Sequence, residues 1–185
     1  MYGEEIKYSI DLLEYSDKES IQLFSCGNDK IDHYIKNEIF NGSTLNIDDG
    51  LHFKICKKNT TEIIGFYSLA SSGIIHKVDN YMHVLPAVKI DVFAIDKKYQ
   101  KLHFNEESEL SEKDHYYFSD QILCEVIRKC RDISESQLLI NFIILYAAKD
   151  AVKFYTRNFF SPFKNFMEPE TNSEVNSLEP MYMPL

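Results

Sequence analysis

The stretch from Ala87 to Leu123 constrains this chain more than any other. It opens on Val88-Lys89-Ile90-Asp91-Val92-Phe93-Ala94-Ile95, which reads as a largely apolar strand. A polar segment, Asp96 to Phe118, follows, and an amphipathic helix begins at Ser119-Asp120-Gln121-Ile122-Leu123. The start of a helix offers backbone N–H groups without intrahelical partners, at the positive end of the helix dipole. A strand feeding such a start is a physical device for holding a phosphorylated ligand.

The flanking sequence predicts a mixed α/β order. Residues 6–10 read as a short strand, and Ser16 or Asp17 as the N-cap of a helix reaching Leu23 or Phe24. Cys26-Gly27-Asn28 breaks it, and a second helix from Asp29 places Ile31, Tyr34, Ile35 and Ile39 on one face, ending at Asn41-Gly42-Ser43. His52 to Lys57 and Glu62 to Ala70 read as an antiparallel hairpin with the long apolar second strand inside a sheet. Ser71 to Leu85 reads as a less regular extension punctuated by Pro86. After the central strand, the acid-rich 105–114 lies within an expected exposed insertion at 101–117. A helix over 119–132, an apolar strand over 138–146, a short helix over 147–157 and a strand or turn over 159–163 follow. The tail 168–179 reads as loop, and Met181 to Leu185 as an edge strand, because Pro184 suits an edge or an end. One β-α-β unit spans 88–146, in a chain otherwise antiparallel at first.

The length of 185 residues suits one domain, 1–185, with a sizeable core. No apolar run reaches the roughly 18 residues of a membrane span, and the acidic N-terminus lacks a secretory pattern. The expected location is cytoplasmic, with no membrane partner. Cys26, Cys56, Cys124 and Cys130 form no C-x-x-C pair and read as reduced and structural. The six scattered histidines show no ligand spacing, so no metal site is expected. A net charge of −9 makes nucleic acid an unlikely partner. Two basic clusters, Lys97-Lys98-Lys101 and Arg128-Lys129-Arg131, read either as contacts for an anionic ligand or as solvated surface.

Three blocks together resemble the GCN5-related N-acetyltransferase (GNAT) superfamily. Pro86 to Asp96 followed by Lys97-Lys98-Tyr99-Gln100 is similar to its central strand and the start of its pyrophosphate loop. Ala148-Lys149-Asp150-Ala151-Val152-Lys153-Phe154-Tyr155, with Phe159-Phe160, resembles its A-x-x-A-x-x-F-Y-x-x-x-G-F signature. Phe24 to Ile35 resembles an F-x-C-G-x-x-x-L-D-x-x-L pattern in a bacterial branch that includes acetyltransferase toxins of toxin–antitoxin pairs. The resemblance implies an α+β, acyl-CoA N-acyltransferase fold: a central mixed, mostly antiparallel sheet flanked by helices. It also implies an acetyl-CoA-dependent N-acetyltransferase that moves an acetyl group to a primary amine by direct attack, without a metal.

By the same resemblance Tyr155 is the general acid that protonates the departing thiolate. Phe93, Ala94 and Ile95 offer the strand edge that pairs with pantetheine, with a backbone N–H polarising the thioester carbonyl. Gln100, Lys101 and the amides of Phe118, Ser119, Asp120, Gln121 and Ile122 meet the phosphates, and Asn141 binds pantetheine or substrate. Asp91 is the candidate base: a carboxylate in an apolar strand is costly unless exposed or paired. The chain departs from the pattern in two places. Gln100 is followed by Lys101-Leu102-His103-Phe104 with no glycine, where glycine would let backbone amides approach a phosphate, and Phe159 stands where the signature has glycine. A GNAT-fold binding module that has lost coenzyme A, a toxin held by an antitoxin, and a homodimer are the other readings.

Overall fold

The computed structural model describes residues 6–42, 44–46, 50–79, 81–103, 116–164 and 177–185. It divides into two compact units, residues 1–69 with 92–122, and residues 70–91 with 123–185.

The first unit holds β1 (Tyr8–Leu12), β4 (Leu51–Lys57), the first half of β5 (Ile63–Val78) and the end of β6 (Tyr81–Ile95). β1 pairs antiparallel with β4, Ile10 opposite Ile55, and β4 pairs antiparallel with β5, Phe53 opposite Tyr67. The expected alternation holds: Phe53 and Ile55 are buried, while Lys54 reaches across to Asp17. The helical expectation for 16–24 resolves into a 3-10 turn, Tyr15–Asp17, and α1 (Lys18–Ile21). Asp17 makes no side-chain cap to α1; its carboxylate accepts from the Glu14 amide at 2.8 Å, and both its oxygens receive the Lys54 ammonium.

Asn28 is the true cap of the next helix, accepting from the Lys30 and Ile31 amides at 3.1 and 3.3 Å. That helix is α2 (Asp29–His33), which passes into a π-helical turn, Tyr34–Glu38. The extra residue in that turn sits where the apolar face must bury both Ile35 and Ile39. A small ribbon, β2 (Phe40–Asn41) against β3 (Thr44–Leu45), follows where only a helix stop was expected. Leu13, Ile21, Phe24, Ile35, Ile39, Phe40, Ile63, Phe66 and Ala94 form one buried cluster. Gly65 lets this core close: a Cβ there would stand 2.6 Å from Ile55 Cδ1 and 3.0 Å from Ile95 Cδ1.

The second unit holds the remainder of β5 and β6, most of α3 (Phe118–Ser136), β7 (Phe142–Ala147), α4 (Val152–Arg157), β8 (Ser161–Pro162) and β9 (Glu179–Pro184). β7 runs parallel to β6 over Ala87–Ile90, the expected β-α-β unit, and antiparallel to β9. Paired on both sides, β7 is apolar throughout, with Ile143 opposite Met183 and Leu145 opposite Met181, all buried. Over the pairings within each unit, the strand order is β1-β4-β5-β6-β7-β9-β8. This is the mixed, mostly antiparallel sheet with helices that the sequence predicts.

Several boundaries differ from expectation. Residues 71–78 and 81–85 are regular strand, and Pro86 lies inside β6. The pairing with β7 begins only at Ala87, and the Pro86 carbonyl receives the Asn141 amide at 2.8 Å, so no ladder donor is missed. Leu138 and Leu139 precede β7 and are well exposed. β9 is an interior strand, because β8 pairs on its far side. The acidic stretch 105–114 and most of the tail lie outside the described residues. No described helix is long and apolar enough to cross a membrane.

Candidate functional site

In the first unit the loop after β6 is tied down by its own side chains. Asp96, 4 % exposed, accepts from the Ser25 amide at 3.2 Å and the Lys98 amide at 3.0 Å. The Lys97 amide donates to the Ser25 carbonyl at 2.9 Å. Gln100 donates its side-chain amide to the Cys26 and Ile95 carbonyls, at 2.8 and 2.9 Å. Gln100 thus braces the loop after β6 to the segment Ser25–Cys26.

That segment is fixed from its other side by Asp32, which accepts from Ser25 Oγ and the Cys26 amide, both at 2.8 Å. Burial works to raise the Asp32 carboxyl, but donors from Cys26, Ser25 and Gly27 outweigh it and hold the group below its ordinary value. Burial pushes the Cys26 thiol up to about 12, with Asp32 adding to the rise. Cys26 is therefore a protonated packing group. The Phe24–Ile35 block acts as a support for the loop.

The chain leaves this loop at His103 and returns at Tyr117, which bridge as an antiparallel pair with ring centroids 5.1 Å apart. Helix α3 then begins. The Tyr117 amide donates to the Asp120 carboxylate at 2.9 Å, half of a capping box. The Tyr117 carbonyl accepts from the Asp120 and Gln121 amides, and the Phe118 amide donates to the Leu102 carbonyl. Asp120, 2 % exposed, spends its charge on the helix terminus. Of the five amides that the family resemblance assigns to phosphates, those of Phe118, Asp120 and Gln121 already donate within the protein. Ser119 is buried, with its hydroxyl 3.5 Å from the Gln100 carbonyl, and Ile122 is fully buried. Lys97, Lys98 and Lys101 are exposed.

Ala94 and Ile95 are buried and Phe93 is partly so. The Val92 amide donates to Ser68 Oγ at 3.1 Å, a side chain standing in for a ladder carbonyl. The recorded pairing of β6 with β7 ends at Ile90, five residues before β6 does.

The second unit carries the other assigned residues. Tyr155 lies on α4, 8 % exposed, edge-on to Phe154 and Phe160 at 5.0 and 5.7 Å between centroids. Burial alone raises its phenol above the usual value, so the group holds its proton at neutral pH. Its hydroxyl makes no hydrogen bond among the described residues. Asn141 is half-buried; its backbone donates to the Pro86 carbonyl and accepts from the Leu185 amide. Asp91 is ion-paired with Lys89 at 2.5 Å, and the Lys89 ammonium lies 5.9 Å from the centre of the Tyr146 ring. The pairing answers the cost of a carboxylate on this strand, and it is a partner the sequence reading did not name.

Phe159, where the signature has glycine, has φ +70° and an exposed side chain. The backbone there takes the left-handed conformation that glycine favours, although the residue is phenylalanine. All four cysteines are free, and among the described residues no group of His, Cys, Asp and Glu could hold a metal.

No protein-family model and no curated sequence matches the chain. Solved structures do. A structure described as a bacterial toxin matches at TM-score 0.67 and 16 % identity, over 96 % of this chain and 92 % of that one. A mutant of the toxin AtaT, bound to the C-terminus of the antitoxin AtaR and to acetyl-CoA, matches at TM-score 0.62 and 15 % identity, with coverage of 96 % and 92 %. AtaT complexed with acetyl-methionyl-tRNAfMet matches at TM-score 0.65 and 15 % identity, with coverage of 96 % and 95 %. The last complex does not bear out the expectation that nucleic acid is an unlikely partner. That expectation rested on a whole-chain charge, which does not fix the field of any one face. At these identities the likeness shows the fold alone: the chain has the mixed, mostly antiparallel fold that these solved toxin structures share.

Proposed function

We propose that this protein is an acetyl-CoA-dependent N-acetyltransferase working by direct transfer. The observation that carries the reading is Tyr155: a buried phenol, raised by desolvation and without an internal hydrogen-bond partner among the described residues, at the tyrosine of an A-x-x-A-x-x-F-Y segment. A protonated phenol free of other bonds is suited to donate to a thiolate as the C–S bond breaks.

In this proposal the amine nitrogen attacks the thioester carbonyl, and a backbone N–H of Phe93 or Ala94 stabilises the oxyanion. Collapse breaks the C–S bond, Tyr155 protonates the sulfur, and the amine's proton leaves to Asp91 or water. Asp91 is already ion-paired with Lys89, so that pair must part before the carboxylate can take the amine's proton. Phe93, Ala94, Ile95 and Asn141 take the pantetheine. Because the Phe118, Asp120 and Gln121 amides are engaged, the phosphates rely on Ser119 and Ile122 at the helix start and on the Lys101 ammonium beside the loop that Gln100 braces. Chain 1–185 serves as one catalytic domain with an insertion at 101–117, in the cytoplasm, where four free thiols remain reduced.

A second reading, a toxin that acetylates an aminoacyl-tRNA and is held by an antitoxin, is favoured by the solved neighbours bound to those partners. The test is thiol release from acetyl-CoA across an amine panel that includes aminoacyl-tRNA, by the wild type and Tyr155→Phe. A loss of about 10²-fold in turnover with unchanged melting supports the role. Equal turnover removes Tyr155 from it, and no release with any amine leaves the fold as a binding module.

A further inference from the structure

Ser68 interrupts the apolar run from Ile63 to Leu69 on β5 and is 0 % exposed. A buried hydroxyl is costly unless it is hydrogen-bonded, so its partner matters. The register of β5 against β6 in the first unit identifies that partner. The Asp96 amide donates to the Ile64 carbonyl at 2.9 Å, and a Cβ on Gly65 would stand 3.0 Å from Ile95 Cδ1. Bonded pairs of an antiparallel ladder recur at every second residue, so Ala94 falls opposite Phe66 and Val92 opposite Ser68.

At that position a regular ladder gives the amide to a carbonyl. Here the Ser68 hydroxyl receives the Val92 amide at 3.1 Å. Side chains stand off the plane of a sheet, so an amide that donates to one is tilted out of that plane. The Val92 side chain packs against the buried cluster that holds Phe24, Phe66 and Ala94. Val92 is thus held at both its side chain and its amide, and the tilt passes along β6 to the next peptide.

We infer that Ser68 is a positioning residue for acetyl transfer: by holding the Val92 amide, it aims the Phe93 amide at the oxyanion. The inference rests on the transfer proposed for this chain, and it chooses between the two amides of that step. Successive amides of a strand point to opposite edges. With the Val92 amide turned to β5, the Phe93 amide faces the other edge, whereas the Ala94 amide faces β5 again. Losing an oxyanion donor costs about 10²–10³ in kcat, and misaiming one that is still present should cost less, about 10–30-fold.

Steady-state thiol release from acetyl-CoA tests this, with the acceptor of the amine panel that the wild type acetylates fastest. Ser68→Ala removes the acceptor of the Val92 amide, and Ser68→Cys keeps the shape but accepts weakly. The expected result is a kcat lowered about 10–30-fold by alanine and less by cysteine, with the KM for acetyl-CoA within about twofold of the wild type, because the bond to the oxyanion is made in the transition state. A serine that only filled the core would lower the melting temperature and leave kcat of the folded enzyme unmoved. An unchanged kcat in folded Ser68→Ala overturns the inference, as does a loss carried by KM alone. If the alanine variant unfolds, the cysteine variant decides by the same split. A wild type that turns over while its variants match it sinks the role of Ser68 alone; a wild type that acetylates no amine sinks the proposed transfer and this role with it.

Discussion

Replacing Asp32 by alanine should destabilise the protein in a pH-dependent way. The carboxylate accepts from Ser25 Oγ and the Cys26 amide, both at 2.8 Å. A hydrogen bond to a charged group contributes about 1.5–3 kcal/mol, and partial exposure of Asp32 screens these. Allowing for that, the loss is about 2–3 kcal/mol at pH 7. For a chain of this length each kcal/mol moves the melting temperature by roughly 2–4 °C, so a fall of about 4–12 °C follows.

The sign with pH is set by the lowered folded-state value. A depressed carboxyl contributes stability that is present above its unfolded value, about 3.9, and is lost as pH falls through the folded value. The wild type and Asp32→Ala should therefore differ most above pH 5 and converge below pH 4. Urea melts at pH 3.5, 5 and 7 measure it. A gap under 0.5 kcal/mol at pH 7, or one that widens on acidification, would refute the assignment of Asp32 as the anchor of the Ser25–Cys26 segment.

Two further outcomes concern the core of the first unit. Lys54→Met leaves Asp17, 2.6 Å from the ammonium and 16 % exposed, without its cationic partner, and should cost about 2–4 kcal/mol by urea melting. Burial lowers the Lys54 ammonium, but Asp17 outweighs it and raises the group. This stability is full below the unfolded value of about 10.4 and fades as pH climbs through the raised one. Gly65→Ala forces Ile55 and Ile95 aside and should cost about 1–3 kcal/mol; a neutral result would mean those side chains repack freely.

The fold was legible where periodicity and pairing agree. β4 alternates because one face is buried, and β7 reads as continuous apolar sequence because it is paired on both sides. The strand ends over 75–77 and 81–84 were not legible, because residues exposed on both faces of a strand have no reason to alternate. Leu138 and Leu139 share the composition of the strand after them, so letters alone could not place its start. The site was readable as motif and unreadable as bonding. Gln100 and Tyr155 stand out by position, but the Cys26 carbonyl that receives Gln100 is 74 residues away in sequence. The Asp120 cap was not readable, because its amide partner at Tyr117 depends on where the helix begins. The positive φ at Phe159 had a signal in the sequence: a phenylalanine where the signature carries glycine.

The most direct measurement is a calorimetric titration of the purified chain with acetyl-CoA, set beside dephospho-CoA. Micromolar binding of acetyl-CoA, weakened several-fold when the 3′-phosphate is missing, is the predicted result, with Lys97, Lys98 and Lys101 the cations that meet that phosphate. No heat and no thermal shift at millimolar acetyl-CoA would contradict it, and would mean that Asp120 and the engaged amides at the start of α3 have closed the site to a diphosphate.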